Sequence, residues 1–405
     1  MITPFEIFWL FAIPAILFSW YHIVRHSIGF ATSKRKALPH NPHPEIIFQI
    51  AARKLSADLN PIIKESIEAI KSSCAEVGYS NYRIKLLVDE IAASIEGVET
   101  MLVPKDFISK SKYKARALHY GLRFLPDSKD IWIMHLDEDS KVTPQCVSSV
   151  INYISAGGKP VANGPTVFPY DGNLLTFYAE AQRQWTFYWL QDQEISSNVH
   201  WLNGSNLLVR SDVEHAVGWD FENCFISEDS RFGYETYKKL GKVFGWHGGL
   251  TIEKPPASVG SLLKQRRRWF FGSLVNFKHV PKGRIPRRIY SIAVWFDGFI
   301  LTIFFFLLIL GFTYEPWFSG LFYLNAFSLT ALLWVGRYEV GVYQNLRFSS
   351  LSRFKKILLH IGIIPLSPVV DLICNLPTVL AFIKRPKSFE ITAKRSETVE
   401  RTRTS

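Results

Sequence analysis

The sequence predicts an α/β protein with a mostly parallel sheet, joined to transmembrane and interfacial helices. Between Pro44 and about Ser261, short apolar runs alternate with stretches of helical periodicity, and this alternation is typical of βαβ units. Outside this region the chain contains apolar runs long enough to cross a bilayer, which takes roughly 20 residues. The two observations together predict a globular domain attached to a membrane.

Composition supports the membrane assignment. The chain has 405 residues, of which 48% are hydrophobic, and a net charge of +12. We interpret the positive charge as flanks of membrane segments rather than a nucleic-acid surface, so no nucleic-acid partner is predicted. The basic clusters beside the apolar runs are Lys34–Lys36, Arg266–Arg268, Lys355–Lys356 and Lys384–Lys387. Their positions predict an integral membrane protein, in contact with membrane lipids, whose long middle region is cytoplasmic.

The apolar runs divide the chain into predicted parts. These are a transmembrane anchor at 1–30, a cytosolic domain at 44–260, an amphipathic interfacial helix at 261–284, a transmembrane region at 289–383 and a basic cytosolic tail at 384–405. The last apolar segment, about 357–383, contains Pro365, Pro368 and Pro377. Proline removes a helical hydrogen bond, so the sequence leaves open whether this segment spans the bilayer or is re-entrant or interfacial.

The elements of the middle region follow from local patterns. Asn60 as cap, Pro61 at the first helical position and Gly78 at the stop predict a helix over 60–78. The same reasoning gives a helix at 111–125 and strands at 45–51, 82–90, 99–107 and 130–139. Ligands of open α/β sheets bind beyond the carboxyl ends of the strands. Two predicted strands end there on acids, at Asp89 and at Asp137–Asp139.

The acids after the last of these strands suggest a metal site. Strand alternation places Asp137 and Asp139 on the same side. Two carboxylates are the hard oxygen ligands that suit Mg²⁺ or Mn²⁺, and such an ion can hold a diphosphate. A solvated acidic turn is the alternative interpretation.

Three further stretches indicate a binding or catalytic site, each with a structural alternative. Glu228 and Asp229 precede an amphipathic helix and could supply a general base or merely cap the helix. The stretch Gln265–Trp269 could grip phosphate and stack on a ligand, or could form an interfacial helix with its arginines reaching headgroups. The stretch "WLNGSNLLVR" at 201–210, a small polar turn flanked by apolar residues, allows close approach of backbone to a ligand, or is a tight hairpin.

The order and spacing of these stretches resemble those of the membrane-embedded family 2 glycosyltransferases, which include cellulose, hyaluronan and chitin synthases. The matching motifs are "KARAL" at 114–118, the DxD of "HLDED" at 135–139, "SED" at 227–229 and the QxxRW of 265–269. The resemblance implies a GT-A-type, Rossmann-like domain and an Mg²⁺ or Mn²⁺ cofactor. It implies donor binding by Asp89, Lys114, Asp137, Gln265 and Arg268, metal binding by Asp137 and Asp139, acceptor binding by Glu228 and Trp269, and base catalysis by Asp229.

Within the family the chain looks most similar to the egghead-type β-1,4-mannosyltransferases, through "NGSNLLV", "EDSRF", "EKPP" and "QRRRWFFG". This resemblance implies inverting transfer of mannose or glucose from GDP-mannose or a UDP-hexose to a glycolipid or glycan acceptor. The tail motif "FEITAK" at 389–394 instead resembles the gating loop of the synthases, so a processive β-polysaccharide synthase is the alternative. A metal-dependent phosphohydrolase and a non-catalytic membrane scaffold are the alternatives from other classes.

Overall fold

The computed structural model describes residues 44–52, 61–89, 94–196, 202–281, 292, 294–296, 335–383 and 385. The predicted anchor at 1–30 lies outside the described residues. So do Glu90, most of the apolar stretch at 289–335 and, apart from Arg385, the tail with its motif at 389–394.

The described part of the chain alternates strands and helices. The strands are β1 (Glu45–Ala52), β2 (Tyr82–Val88), β3 (Glu99–Leu102), β4 (Ile131–Leu136), β5 (Lys141–Val142), β6 (Val161–Asn163), β7 (Thr166–Val167), β8 (Leu207–Arg210), β9 (Phe244–Trp246) and β10 (Thr251–Ile252). The helices are α1 (Pro61–Glu76), α2 (Tyr113–Leu122), α3 (Pro144–Ser155), α4 (Leu174–Ser196), α5 (Ser211–Val217), α6 (Glu228–Leu240), α7 (Val259–Asn276), α8 (335–346) and α9 (Arg353–Ile383).

The predicted mostly parallel sheet is confirmed. Seven strands lie in the order β3-β2-β1-β4-β8-β6-β9, and only β8 runs antiparallel to its two neighbours. A second sheet joins β5, β10 and β7. Because β1 to β4 are all parallel, their carboxyl ends meet at one edge, where the predicted ligand site would lie.

Helices cover both faces of the large sheet. Along β1, Ile46, Phe48 and Ile50 pack with α1 and α3 on one face, whereas Ile47 packs with α2, α5 and α6 on the other. This alternation follows from the two-residue period of a strand. Since both faces are buried, the central strands are nearly continuous apolar runs, as the sequence shows.

Three predicted strands end earlier than expected, and the one predicted over 82–90 ends at Val88. The strand predicted over 130–139 ends at Leu136, and Asp137 to Ser140 form a turn in which the Ser140 N–H donates to the Asp137 carbonyl at 3.1 Å. The same-side argument from strand alternation is therefore wrong for Asp137 and Asp139, because neither lies in the strand. The strand predicted over 99–107 ends at Leu102, since Pro104 has no N–H for the ladder.

The last apolar segment forms one continuous helix, α9, through its three prolines. Pro368 cannot donate to the carbonyl of Ile364, and the hydroxyl of Ser367 donates to that carbonyl at 3.2 Å instead. Such replacement bonds are how apolar helices tolerate proline. By length and composition α9 can cross a membrane. The segment is helical throughout, and its spanning, re-entrant or interfacial placement stays a prediction.

Polar groups attach α9 to its neighbours. Asp371 of α9 is fully buried and accepts hydrogen bonds from Tyr338 of α8 at 2.8 Å and from Gln182 of α4 at 3.3 Å. Apolar side chains from α4, α7, α8 and α9 form a shared core around these bonds. The outward face of α9 remains apolar and exposed, for example at Ile361 and Phe382.

We expect Trp219→Phe to destabilise the domain. Trp219 is 1% exposed, stacks on Phe232 with ring centroids 4.3 Å apart, and donates its Nε1–H to Glu214 at 2.6 Å. The substitution leaves a cavity and removes one donor from a buried carboxylate, costing about 2–3 kcal/mol. The thermal unfolding midpoint in detergent should fall by about 5–10 °C. Phe124→Leu, at a half-exposed ring, is the control and should change it little; an equal fall in both would contradict the prediction.

Candidate functional site

Two predicted acids lie at the carboxyl edge of the sheet. In the register of the strands, Ile50 of β1 pairs with Leu86 of β2 and with Leu136 of β4. Asp89 and Asp137 therefore follow strands on either side of β1, two strand spacings or roughly 10 Å apart across the sheet, with Asp89 two residues further along its strand direction.

Lys114 connects several motifs at this edge. Its Nζ forms a short ion pair with the Asp137 carboxylate, donates to the Gly204 carbonyl at 3.2 Å and lies 3.9 Å from Oε1 of Glu228. Burial alone would lower the pKa of Lys114, but the carboxylates of Asp137 and Glu228 outweigh burial and raise it above its usual value. Lys114 therefore remains charged, and the "KARAL", DxD and "SED" motifs meet at one ammonium group.

Asp229 is a buried carboxyl in the first turn of α6. Burial raises the pKa of Asp229 to about 7, and the charge of Glu228 adds to this shift, while the Ser230 N–H and Lys114 oppose it. Its Oδ1 accepts a hydrogen bond from the Ser230 N–H at 2.7 Å. A carboxyl that titrates near neutral pH is suited to accept a proton in catalysis.

The backbone of the turn at Asn203–Asn206 packs closely against Lys114 and Asp229. A Cβ on Gly204 would lie 3.1 Å from Oδ2 of Asp229 and 3.3 Å from Nζ of Lys114. Asn163, at the end of β6, holds the turn: its side chain donates to the Asn203 carbonyl at 2.9 Å and accepts from the Asn203 N–H at 3.3 Å. The backbone of this turn thus lies close to the predicted base, while its approach to a ligand stays a prediction.

The second acid of the DxD motif has different surroundings from the first. Asp139 is 7% exposed and accepts a hydrogen bond from the backbone N–H of Lys254 at 3.4 Å, whereas the Asp137 side chain is 43% exposed. In the described part of the chain no group of three or more His, Cys, Asp or Glu side chains could hold a metal. Two carboxylates nevertheless fit Mg²⁺ or Mn²⁺, ions that commonly take their other ligands from water and substrate phosphates.

His247 is a structural histidine. It is buried, and burial lowers its pKa to about 4. Its Nδ1 accepts from the Gly249 N–H at 3.1 Å and its Nε2 lies 3.3 Å from the Asn206 carbonyl. Both ring nitrogens therefore bind backbone and stabilise the turn that carries Gly204.

Asp89 is held by an arginine that sequence reasoning missed. Arg116 donates from Nη1 to the Asp89 carboxylate at 3.0 Å, and it also donates to the carbonyls of Pro104 and Phe107. Arg116 lies within the quoted "KARAL" stretch, but its position two residues after Lys114 gives no sign of this partner. The pairing arises only because β2 and α2 pack side by side.

The QxxRW helix contacts the acid pair through Ser227. Gln265, Arg268, Trp269 and Gly272 recur at helical spacing and share one stripe of α7. A Cβ on Gly272 would lie 2.0 Å from the Ser227 hydroxyl, so this close packing requires glycine. One turn further on, Asn276 donates to the Ser227 carbonyl at 3.0 Å. The stripe thus lies against the start of α6, which carries Glu228 and Asp229.

Two of the predicted residues on this stripe have unusual surroundings. Gln265 is 5% exposed, and its Oε1 is buried without a hydrogen-bond partner among the residues that the structure describes. Trp269 is half-buried, with the guanidinium carbons of Arg183 and Arg266 each 4.9 Å from its ring centroid. Sequence reasoning missed Arg183 and its partner Glu180, for which the only signal is a Glu-x-x-Arg spacing in a helix that also carries other polar residues.

Comparison with known proteins gives related sequences from animals. The chain is 26% identical over 290 residues to the beta-1,4-mannosyltransferase egh of Drosophila melanogaster, covering 67% of this chain and 62% of that protein. It is 27% identical over 230 residues to the beta-1,4-mannosyltransferase bre-3 of Caenorhabditis briggsae, covering 53% and 50%. The chain thus spans about half to three fifths of the length of these curated relatives.

Two solved structures and one family profile are similar to this chain. The mannosyltransferase PcManGT from Pyrobaculum calidifontis, in complex with GDP-Man and Mn²⁺, matches 84% of this chain and 99% of its own, with 11% identity and a TM-score of 0.49. TarS 1–349 of S. aureus in complex with UDP-GlcNAc matches 84% and 91%, with 10% identity and a TM-score of 0.36. The profile described as glycosyl transferase family group 2 matches residues 132–336, about half of the chain. The chain therefore belongs to glycosyl transferase family group 2, as its motifs predicted.

Proposed function

We propose that the protein is an inverting membrane glycosyltransferase that transfers mannose from GDP-mannose to a glycolipid acceptor and forms a β-glycosidic bond. The observation that carries the proposal is the cluster of Lys114, Asp137, Glu228 and Asp229, which contains a buried carboxyl with a pKa of about 7. The choice of mannose is supported by relatives named beta-1,4-mannosyltransferases, at 26% and 27% identity.

In this proposal Asp229 is the general base. Its carboxylate accepts the proton of the acceptor hydroxyl as that oxygen bonds to the anomeric carbon of the donor sugar. The bond from the anomeric carbon to the diphosphate breaks on the opposite face, and the nucleoside diphosphate leaves with the bonding electrons. One displacement inverts the anomeric centre, so an α-linked donor gives a β-linked product.

Charge at the diphosphate is balanced by groups of the sheet edge and α7. Asp137 and Asp139 would hold the Mg²⁺ or Mn²⁺ ion, which supplies a Lewis acid for the leaving diphosphate. Lys114 and Arg268 add fixed positive charge, and Gln265 adds an amide for donor binding. Asp89, oriented by Arg116, contacts the nucleoside. Glu228 and Trp269 bind the acceptor sugar.

The membrane part of the proposal rests on α9 and on the charge of the chain. The apolar outer face and the length of α9 suit a bilayer, and the basic residues Lys355 and Lys356 lie in its first turn. Positive flanks favour the cytoplasmic side, so we place the catalytic domain in the cytoplasm. There it would meet nucleotide sugars, while the acceptor lipid arrives through the membrane.

The direct test incubates purified protein in detergent with labelled GDP-mannose or UDP-glucose, Mn²⁺ or Mg²⁺, and octyl β-glucoside, followed by mass spectrometry. We expect one mannose added to the glucoside, and loss of product with EDTA that excess Mn²⁺ restores. A ladder of products would replace the proposal with the processive synthase. Free phosphate or free sugar without a glycoside would favour the phosphohydrolase, and a full reaction in EDTA would remove the metal from the mechanism.

We expect Asp229→Asn to abolish transfer, because an amide cannot accept the proton. Loss of a general base lowers kcat by about 10²–10⁴-fold. Asp127→Asn, at an exposed carboxylate, is the matched control and should leave kcat unchanged. Both variants should keep the parental unfolding temperature; normal turnover by the Asp229 variant would show that the base is another group.

The pH dependence of kcat/KM should report Asp229. A base with a pKa of about 7 is protonated below that pH, so kcat/KM should fall about tenfold per pH unit on the acid side and level off above it. The charge of Lys114 lowers the pKa of Asp229, so Lys114→Gln should move this limb to higher pH. Lys129→Gln, at an exposed lysine, should not move it. A limb that stays in place or moves to lower pH in Lys114→Gln would exclude this coupling.

Gly204→Ala should reduce transfer without loss of folding. The added Cβ crowds Oδ2 of Asp229 and Nζ of Lys114, which must shift by a few tenths of an ångström. Small displacements of reacting groups are costly, and we expect kcat to fall at least about tenfold. Gly260→Ala is the matched control, since its nearest neighbour, the Ser258 hydroxyl, lies 3.8 Å away. Equal activity of the two variants would mean that the turn does not position the base.

A further inference from the structure

The indole of Trp269 is fixed by two buried arginines. Arg183 of α4 and Arg266 of α7 are 8% and 6% exposed, and each guanidinium carbon lies 4.9 Å from the ring centroid. Guanidinium groups at this distance attract an aromatic ring through its quadrupole, more strongly where water is excluded. The orientation of Trp269 therefore depends on where these two side chains are held.

One carboxylate holds both arginines. Oε2 of Glu180 lies 2.9 Å from Nη1 of Arg183, and Oε1 lies 3.3 Å from Nη2 of Arg266. Glu180 is fully buried in α4. A carboxylate that uses each oxygen for a different guanidinium fixes the distance and angle between them. Glu180 thus connects α4 to α7, the helix that carries the QxxRW motif, next to Trp269.

The other end of the same stripe is fixed independently. Gly272 and Asn276 lie against Ser227, the residue before the Glu228–Asp229 pair. Trp269 therefore lies between two attachments of α7, one to Glu180 through the arginines and one to the start of α6. The attachment through Glu180 sets the orientation of the Trp269 ring. The attachment to the start of α6 sets the position of the ring relative to the proposed base, Asp229.

We propose that Glu180 is a positioning residue that orients Trp269 for the acceptor sugar by holding Arg183 and Arg266 against the indole. The inference rests on the proposed function, since it takes Trp269 as the acceptor-binding face. Glu180 acts through the two arginines rather than by touching a substrate. Its loss should therefore affect the use of the acceptor and leave the binding of the donor unchanged.

A double-mutant cycle tests this role. Glu180→Gln, Trp269→Phe and the double variant are assayed with GDP-mannose and octyl β-glucoside, and kcat and both KM values are measured. We expect Glu180→Gln alone to lower kcat/KM for the glucoside at least tenfold and to change KM for GDP-mannose less than twofold. In the Trp269→Phe background, Glu180→Gln should lower kcat/KM for the glucoside less than twofold. If Glu180→Gln lowers this kcat/KM by the same factor in both backgrounds, Glu180 does not act through Trp269.

A second variant covers the case in which Glu180→Gln does not fold, because it leaves two buried guanidinium groups with a neutral partner. Arg183→Gln keeps the Glu180–Arg266 pair and removes one guanidinium from the indole. Arg183→Gln should lower kcat/KM for the glucoside and leave KM for GDP-mannose nearly unchanged. The loss of kcat/KM should be smaller in the Trp269→Phe background. If Arg183→Gln instead lowers kcat/KM equally with and without the Trp269 indole, the proposal is overturned.

Asp371→Asn serves as the matched control for loss of a buried acid. Asp371 belongs to the neighbouring helix α9 and accepts hydrogen bonds from Tyr338 and Gln182. Its effect on kcat/KM should be the same in both Trp269 backgrounds. Absence of any product from the unmutated protein would refute the proposed function. If product forms but Glu180→Gln lowers kcat/KM by the same factor with and without Trp269, only the role of Glu180 is refuted.

Discussion

The ammonium group of Lys114 lies among the carboxylates of Asp137, Glu228 and Asp229, and the arrangement of the site depends on it. Three acids brought together at a sheet edge repel one another, and burial adds a penalty for each charge. Lys114 offsets this cost at the point where three separate segments meet. Its ammonium group pairs with the Asp137 carboxylate and lowers the pKa of Asp229, against the burial that raises that pKa to about 7. One cation thus offsets the repulsion among carboxylates from separate segments.

The backbone around this cation is held in unusual conformations. Tyr113, Asn206 and Ser227 have φ values of 54°, 60° and 53°, and each adjoins a site motif. Asparagine tolerates the left-handed region, but tyrosine and serine there cost on the order of 1 kcal/mol each. Ser227 is kept in place by Gly272 and Asn276 of α7. Packing therefore maintains the strain, and the strain places Lys114, Gly204 and Asp229 before any ligand arrives.

Sequence reasoning reached the sheet, its carboxyl edge and the residues of the central cluster, because each depends on local patterns. Apolar runs that end on acids identify strand ends, and the Asn203–Asn206 turn shows its small residues directly. The position of Asp137 in a turn was missed, since the exact end of β4 depends on the hydrogen bonds of Ser140. The Arg116–Asp89 pair and the Glu180 bridge were also missed. Both join elements distant in the chain, and their geometry is set by helix packing that no spacing in the sequence encodes.

The position of α7 links the proposed catalytic groups to the membrane. Phe270 of α7 packs edge-on against Phe382 of α9, with the ring centroids 5.6 Å apart. The stripe of Trp269 and Gly272 faces the catalytic domain. A helix that is fixed on one side to an apolar, membrane-suited helix and on the other to Ser227 cannot shift without moving the start of α6. The depth of α9 in a bilayer would therefore set the height of Trp269 and Asp229 above it. For an acceptor whose lipid tail stays in the bilayer, that height would decide which hydroxyl reaches the proposed base, and this is a reason for joining the proposed acceptor-binding motif to a membrane helix rather than to the sheet.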